Sequence, residues 1–372
     1  MPLFTTRAFN KHEQVVFCSD PATNLRAIIA VHSTALGPAV GGCRFWNYRA
    51  AHRLAPVDVA DKRAEEDAIF DVLRLSRGMS YKNAMAGLRL GGGKSVIIGD
   101  PKRATPELLR AFGRYLDRLC GTYYTAEDVG TSPQIMKIIR EATGYVVGLE
   151  DGDFATGDPS PHTAKGVFAG LKAAVRHKVG RDDLTGLTVA IQGVGNVGRY
   201  LAQHLRQAGA KLIIADIVDS NLEKVRSEGP VEVVSPDAIH AAEADVFAPC
   251  ALGGGLNHRT IPEIKAKVIA GAANNMLDDE VNDDRALLDR GILYAPDYVI
   301  NAGGIISVES EVYQEALVEE DRHRKVMKIG DTLTEVFQTS DQTGRPTGMI
   351  ANELAEQRIA AARANRLEAA AE

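Results

Sequence analysis

The stretch GLRLGGGKSVIIGDP, residues 87–101, sets Lys94 directly behind three glycines. A phosphate-binding P-loop needs four residues between its two glycines and leads into a helix. Here the first glycine would have to occupy the position of Leu88, and SVIIGDP is typical of a short strand that ends in a turn. Lys94 is therefore not predicted to hold a nucleotide phosphate, and kinase or NTPase chemistry is disfavoured.

A second lysine, Lys82 in SRGMSYKNAM, precedes Lys94 in the same region. Two lysines in one closed, desolvated cleft depress each other's pKa values. A lysine whose pKa is lowered in this way can act as a general base. The alternative is that both are solvated surface lysines, as most lysines are.

An acidic candidate, Asp128, lies in YYTAEDVGTS beside Glu127. From the residues alone, Asp128 is either a functional carboxylate or a turn or helix-cap residue. Cys43 and Cys250 also lie inside glycine-rich motifs, but neither has a neighbouring histidine in sequence. We interpret both as packed thiols rather than nucleophiles.

The stretch VAIQGVGNVGRYL places Gly193, Gly195 and Gly198 in G-x-G-x-x-G spacing between a predicted strand and a predicted helix. These glycines permit a tight turn, close approach of a pyrophosphate, and packing of helix on strand. Asp216 ends the next predicted strand, 18 residues after Gly198 (216 − 198). Its carboxylate would accept a hydrogen bond from a ribose 2′-hydroxyl and repel a 2′-phosphate, which favours NAD over NADP. The alternative is a glycine-rich turn without a ligand.

Length and composition indicate a two-domain soluble enzyme. The chain has 372 residues, 45% hydrophobic and 25% charged, with a formal net charge of -6. The charge and the lack of basic blocks disfavour nucleic acid, and no apolar run is long enough to span a membrane. Four widely spaced cysteines suit reduced thiols in a cytoplasm, and no histidine or cysteine spacing predicts a metal site.

The order of predicted elements indicates an α/β fold. Helices are predicted at 105–121 and 132–144, followed by an acidic, Gly/Pro-rich hinge at 150–161. From residue 187 strands alternate with helices, which predicts a doubly wound parallel sheet. We predict domains at 1–150 and 151–339 with a cleft between them. Further helical stretches are predicted at about 307–338 and 350–370.

Seven motifs, in order along residues 25–310, carry a resemblance to a known family: GPAVGGCRFW, SRGMSYKNAMAGLRLGGGKSVIIGDP, YYTAEDVGTS, IQGVGNVG, FAPCALGGG, VIAGAANN and YAPDYVINAGG. Together they resemble the leucine, valine and phenylalanine dehydrogenases of the glutamate dehydrogenase superfamily. This resemblance implies a substrate-binding and oligomerisation domain, then a Rossmann-type NAD domain, with a helix at about 340–372 packing back on the first. It also implies homo-oligomers of two to eight subunits.

The same resemblance implies a role for each motif residue. Lys82 would hold the substrate carboxylate, Lys94 would be the general base, and Asp128 would handle the amine proton. Gly41 and Gly42 would approach the substrate with backbone alone. Asn301 would contact the substrate or the nicotinamide. The predicted cofactor-binding residues are Gly193, Gly195, Asn196, Val197, Gly198, Asp216, Ala251 and Asn274.

The implied side-chain pocket is lined by four uncharged residues, Val40, Ala126, Ile305 and Val308. This composition disfavours glutamate and favours leucine, valine or isoleucine, converted reversibly to a 2-oxo acid and ammonia. Alternatives are an aryl amino-acid dehydrogenase acting on phenylalanine or tryptophan, and a non-catalytic NAD-binding relative. A polar segment at about 47–66 is longer than the family pattern, and we expect it to form a surface excursion that affects specificity or subunit contacts.

Overall fold

The computed structural model describes residues 3–149, 155–251, 253–316 and 318–371. The chain forms two compact units. Unit 1 comprises Met1–Gly157, Val308–Leu317 and Ala355–Glu372, and unit 2 comprises Asp158–Ser307 and Val318–Leu354. The predicted boundary at residue 150 and the first part of the predicted hinge lie outside the described residues. Both units are α/β, so the predicted two-domain fold class is confirmed.

The sheet of unit 1 has five strands in the order β1-β2-β4-β3-β5. The strands are β1 (Gln14–Asp20), β2 (Leu25–Ser33), β3 (Ala39–Trp46), β4 (Gly91–Ile98) and β5 (Tyr123–Glu127). β1 and β4 pair antiparallel with β2, whereas β3 pairs parallel with both β4 and β5. The carboxyl ends of β3, β4 and β5 therefore point the same way.

Both faces of this sheet are covered. Alternate residues of a strand point to opposite faces, so Ile29 of β2 joins one core cluster and Ile28 joins the other. The first cluster includes residues of α2 (Pro106–Asp117) and α3 (Pro133–Arg140), and the second includes residues of α1 (Val57–Met85). Capping by Thr105 and Ser132 confirms the two predicted helix starts, because their hydroxyls accept from Leu108 N and Ile135 N.

The segment at about 47–66 agrees with the predicted surface excursion in its first part and departs from it in its second. Tyr48 is buried in a short 3-10 helix, and α1 begins at Val57, directly after Pro56. Ala60 and Ala64 are buried at a spacing of four residues, which places them on one face of the helix. The prediction is therefore confirmed for residues 49–59, which are exposed or half-buried, and corrected for the helical turns from Ala60, where small apolar residues among the charges supply a buried stripe.

The sheet of unit 2 has six parallel strands in the order β11-β10-β9-β6-β7-β8. The strands are β6 (Thr188–Gln192), β7 (Lys211–Ala215), β8 (Glu232–Val233), β9 (Val246–Pro249), β10 (Val268–Ile269) and β11 (Leu293–Tyr294). Its helices are α4 (Ser160–Val179), α5 (Asn196–Gln207), α6 (Asp219–Ser227), α7 (Asn282–Asp289) and α8 (Asp297–Ile300). Strand order reverses at β6, as in a doubly wound nucleotide-binding sheet, and the predicted parallel sheet is confirmed.

The predicted helical stretch at about 307–338 is two helices instead of one. α9 spans Gly303–Tyr313 and α10 spans Glu319–Thr343. Gln314 between them has a φ of 52°, a left-handed conformation that ends α9. The last helix, α11 (Thr347–Ala371), follows α10.

Two contacts join the part of α11 that belongs to unit 1 to the C-terminal end of α1. Tyr81 Oη donates to Glu356 Oε1 at 2.5 Å, and Arg358 Nη1 donates to Met85 O at 3.1 Å. Among the described residues, no helix is both long and apolar enough to cross a membrane.

Candidate active site

The three glycines before Lys94 are part of strand β4. A Cβ added at Gly91 would lie 2.1 Å from Ser33 O, one at Gly92 would lie 2.0 Å from Ser80 N, and one at Gly93 would lie 2.6 Å from Tyr123 Cδ2. These are distances that no real side chain tolerates. The glycines therefore admit three neighbouring protein segments.

Lys82 and Lys94 lie on the two elements that Gly92 brings together. Ser80 in α1 is two residues before Lys82, and Gly92 in β4 is two residues before Lys94. Lys82 is half-buried in the last turn of α1, and Lys94 is 6% exposed. The absence of a side chain at Gly92 thus sets the close approach of the two lysine-bearing elements.

Buried Lys94 forms an ion pair with half-buried Asp128. Lys94 Nζ lies 3.0 Å from Asp128 Oδ2, and the carboxylate side chain is 23% exposed. Asp128 follows β5 in a turn in which Thr131 Oγ1 accepts from Asp128 N at 2.8 Å. Burial alone would raise the pKa of Asp128, but Lys94 and Arg44 beside it hold that pKa below its usual value. Asp128 is therefore a carboxylate at neutral pH.

Arg44 extends this pair into a network that the sequence motifs did not predict. Arg44 Nε donates to Asp128 Oδ2 at 3.2 Å, and Arg44 Nη1 donates to Asp71 Oδ2 at 2.7 Å. Tyr48 Oη donates to the same Asp71 oxygen at 2.8 Å. Arg44 follows GGC in a motif that had already been identified, but Asp71 and Tyr48 had no motif to reveal them.

Tyr123 holds the backbone of the predicted substrate-binding glycines. Its hydroxyl donates to Gly41 O at 2.7 Å and lies 3.1 Å from Ser95 Oγ, beside Lys94. A Cβ at Gly41 would lie 1.9 Å from Gly93 O, and one at Gly42 would lie 2.7 Å from Asp128 Cβ. Strands β3, β4 and β5 can therefore converge beside the lysine only with glycine at these positions.

Three of the four predicted pocket residues belong to unit 1. Val40 and Ala126 lie on the paired strands β3 and β5, where Val40 is fully buried and Ala126 is half-buried. Val308 is buried in α9. Ile305 belongs to unit 2, where it is half-buried in the first part of α9.

In unit 2, the glycine-rich turn between β6 and α5 has three different kinds of glycine. Gly193 has a φ of +89°, and a Cβ there would lie 2.9 Å from Ala251. A Cβ at Gly198 would lie 2.1 Å from Gly193 O, so this glycine permits helix to pack on turn. At Gly195, no described atom lies within 4 Å of an added Cβ. Only the middle glycine leaves space for an outside molecule.

The same turn fits a dinucleotide. Gly195 is the N-cap of α5, so the first-turn amides of Asn196 and Val197 are available to an anion. Asp216, at the end of β7, accepts from Val194 N at 2.8 Å and from Val218 N at 2.8 Å. The acid is therefore fixed beside the turn, where a ribose would lie next to the pyrophosphate.

Asn301 and Asn274 are joined by a hydrogen bond, with Asn301 Nδ2 donating to Asn274 Oδ1 at 2.8 Å. Asn301 is 6% exposed, and its Oδ1 has no hydrogen-bond partner among the described residues. A buried amide oxygen without a partner carries a desolvation cost. A bound amide or amine that donated to this oxygen would remove that cost.

Shielding from water governs the protonation of the two motif cysteines. Burial raises the pKa of Cys43 to about 12, and it raises the pKa of Cys250 to about 12. Both remain protonated thiols at neutral pH, which agrees with the interpretation that neither is a nucleophile.

Comparison with known proteins gives consistent matches along most of the chain. Residues 12–145 match the family described as Glu/Leu/Phe/Val dehydrogenase, dimerisation domain. Residues 158–221 and 214–366 match the family described as Glutamate/Leucine/Phenylalanine/Valine dehydrogenase.

Individual relatives cover nearly the full length. Leucine dehydrogenase of Geobacillus stearothermophilus is 47% identical over 360 residues, covering 96% of this chain and 94% of that protein. Phenylalanine dehydrogenase of Bacillus thermotolerans is 45% identical over 358 residues, covering 95% of this chain and 89% of that protein. The crystal structure of L-tryptophan dehydrogenase from Nostoc punctiforme has a TM-score of 0.81 and 42% identity, covering 95% and 97%.

Proposed function

The chain belongs to the Glu/Leu/Phe/Val dehydrogenase family and is an amino-acid dehydrogenase, and we propose that it uses NAD to deaminate apolar L-amino acids reversibly. The products are a 2-oxo acid and ammonia. Family membership confirms the resemblance inferred from the sequence motifs. In this proposal unit 1 is the substrate unit and unit 2 the NAD unit.

The observation that carries the proposal is the pair of buried Lys94 and half-buried Asp128, whose charged atoms lie 3.0 Å apart on β4 and in the turn after β5. Lysines are seldom buried unless they are paired or functional. A pair this close can pass a proton between its members, which would leave Lys94 as the neutral amine that a general base must be.

The proposed reaction assigns one task to each charged group. Bound NAD would accept a hydride from the amino-acid Cα. Lys82 would fix the substrate carboxylate, and the Asp128 carboxylate would take the proton that the substrate ammonium loses as the hydride leaves Cα. Lys94 would take a proton from the water that attacks the imine carbon. Lys94 also needs a partner to receive or return that proton, and Asp128 is within reach.

The apolar side chains that we propose for the pocket exclude a charged substrate side chain. Val40 and Val308 are buried and branched, and Ala126 is small. A glutamate carboxylate would find no partner among these side chains, and burying an unpaired charge is costly. We therefore propose leucine, valine and isoleucine as substrates. Relatives that act on phenylalanine and tryptophan make aromatic amino acids the second candidate.

NAD is the proposed cofactor because Asp216 provides a carboxylate beside the glycine-rich turn. A 2′-phosphate at that carboxylate would be repelled. Exposed Ala251 lies next to this turn, beside Gly193, and exposed Asn274 lies next to Asn301. We propose that both also contact the cofactor. The unpartnered Asn301 Oδ1 would accept a hydrogen bond from the nicotinamide amide or the substrate nitrogen.

We further propose a homo-oligomer in the cytoplasm. Oligomerisation is supported by the match of residues 12–145 to a domain described as a dimerisation domain. The location is supported by four free cysteines, which are stable as thiols in a reducing compartment.

The experiment that tests this function is an assay of NAD and NADP reduction with a panel of L-amino acids. We expect turnover with leucine, valine and isoleucine, a preference for NAD, and no turnover with glutamate. Lys94→Ala should lower kcat by about a thousandfold or more while NAD still binds, because the water would lose its base. Lys102→Ala, at an exposed lysine of the same unit, is the matched control. Wild-type turnover in Lys94→Ala would contradict the assigned base.

A further inference from the structure

Arg44 is the charged residue of the site whose role the sequence motifs do not explain. Its Nε lies 3.2 Å from Asp128 Oδ2, the same oxygen that Lys94 Nζ contacts at 3.0 Å. Within the described parts of the chain, no side chain or backbone amide donates a hydrogen bond to Asp128 Oδ1, whereas Arg44 donates to Oδ2. One carboxylate oxygen is thus doubly held and the other is open, on a side chain that is 23% exposed.

We propose that Arg44 is a positioning residue for the deamination. Together with Lys94 it holds Asp128 Oδ2, so that Oδ1 is the oxygen that meets the substrate nitrogen. This inference rests on the proposed function and deepens it, because it assigns the two oxygens of one carboxylate to different tasks.

The shape of the guanidinium suits this role. Nε faces Asp128, while Nη1 of the same planar group donates to Asp71 Oδ2 at 2.7 Å. Tyr48 Oη donates to that Asp71 oxygen as well, so Asp71 is itself held in place. A planar cation fixed to two carboxylates has one orientation, which the flexible ammonium of a lysine cannot reproduce.

Arg44 also changes the charge around Asp128. The titratable groups that face Asp128, either directly or through Arg44, come from five elements. They are Lys94 from β4, Arg44 and Cys43 from β3, Tyr123 from β5, Tyr48 from the 3-10 helix before α1, and Asp71 from α1. Burial favours protonated Asp128, and the two cations oppose it and lower the pKa. Removing a cation favours the protonated forms of neighbouring acids and bases alike, so a pH profile will register the loss of Arg44.

The test compares Arg44→Gln and Arg44→Lys with wild type in the full chain, using L-leucine with NAD and the reverse amination of its 2-oxo acid. Arg44→Gln should lower kcat by about tenfold to a hundredfold. It should raise the KM for ammonium much more than the KM for the 2-oxo acid, and move the acidic limb of kcat/KM to higher pH. Arg44→Lys should return the acidic limb of kcat/KM to its wild-type pH, because the positive charge is restored. It should leave the KM for ammonium raised, because a lysine cannot reproduce the planar geometry of the guanidinium.

The matched control is Arg110→Gln, which removes an arginine of the same unit that is paired with Glu141 at 2.7 Å. Unchanged kcat, KM for ammonium and pH profile in a folded Arg44→Gln would overturn the inference, as would equal losses in both Arg44 variants with an unmoved profile. If Arg44→Gln does not fold, Asp71→Asn decides the matter by the same KM comparison. Absence of turnover in wild type and in Arg110→Gln would instead reject the proposed function.

Discussion

At the residue scale, two glycines of the cofactor turn serve different purposes: Gly198 permits packing within the protein, and Gly195 leaves space for the ligand. A Cβ at Gly198 would lie 2.1 Å from Gly193 O, whereas a Cβ at Gly195 meets no described atom within 4 Å. We therefore expect Gly195→Ala to keep the wild-type melting temperature but weaken NAD binding, because the new methyl group occupies the side that the pyrophosphate approaches.

Gly198→Ala is the paired variant, and it should lower the free energy of unfolding by about 1–3 kcal/mol through overpacking. Calorimetry for stability and titration with NAD for affinity separate the two effects. Equal NAD affinity in Gly195→Ala and wild type would mean that the cofactor does not approach this glycine.

The sequence could identify some residues of the site but not the contacts between them. Lys94 and Asp128 could be predicted because each lies in a motif with a known chemical role. Their 3.0 Å contact could not, since it depends on the register of β3, β4 and β5. Asp71 was missed because a carboxylate in a charged helix resembles any solvated one until the fold brings Arg44 to it.

At the element scale, two buried histidines join α1 to the sheet of unit 1 and to the segment before it. His32 Nδ1 lies 2.8 Å from Ser80 Oγ, and His12 Nε2 lies 3.0 Å from Ser76 Oγ. Burial lowers the pKa of His12 to about 4 and, with the charges of His12 and Arg77, lowers the pKa of His32 to about 3. Both rings are therefore neutral in the folded protein at neutral pH.

These two histidines should make the protein less stable in mild acid. Below pH 6.5 the unfolded histidines bind protons that the folded ones do not, until the pH reaches about 4 for His12 and about 3 for His32. As the pH is lowered through this window, the free energy of unfolding should therefore decrease, by at most about 1.4 kcal/mol per pH unit for each histidine. Urea unfolding at several pH values measures this slope.

The control for this pH effect is His32→Gln, which lacks the titrating ring and should have a smaller slope than wild type. Comparison with the variant is needed because buried Asp284, whose pKa is raised to about 6, changes stability in the opposite direction. The same slope in His32→Gln and wild type would refute the assignment of this effect to His32.

Elements with capped ends were predicted well, and those defined by distant contacts were not. The starts of α2 and α3 follow from local Thr-Pro and Ser-Pro signals. By contrast, α1 begins after Pro56 without a side-chain cap, and its early turns are charged. Only packing on the sheet gives that segment a buried face, and packing is not visible in a local pattern.

At the scale of the whole molecule, the chain returns to unit 1 twice, at Val308–Leu317 and at Ala355–Glu372. In the first return, buried Glu309 accepts from Arg89 N at 2.7 Å, a contact across 220 residues. In the second, Tyr81 and Glu356 meet across 275 residues. Partners so distant in sequence carry no local signal.

In the second return, Arg358 of α11 anchors the C-terminal end of α1, the helix that carries Lys82. Arg358 Nη1 donates to Met85 O at 3.1 Å and to Ala84 O at 3.3 Å, at the C-terminal end of α1. A cation there satisfies terminal carbonyls and complements the helix dipole. Arg358→Ala should therefore cost about 1–2 kcal/mol of stability through the loss of these charged hydrogen bonds.

Because Lys82 is in the last turn of α1, looser anchoring should also raise the KM for the amino acid more than it lowers kcat. Gln357→Ala, at the exposed neighbouring position, is the control for stability and kinetics. A raised KM with wild-type stability would mean that Arg358 acts on the substrate directly, and lower stability with an unchanged KM would mean that Lys82 does not depend on this end of the helix. Only the joint change is consistent with α11 positioning the proposed carboxylate-binding lysine through α1.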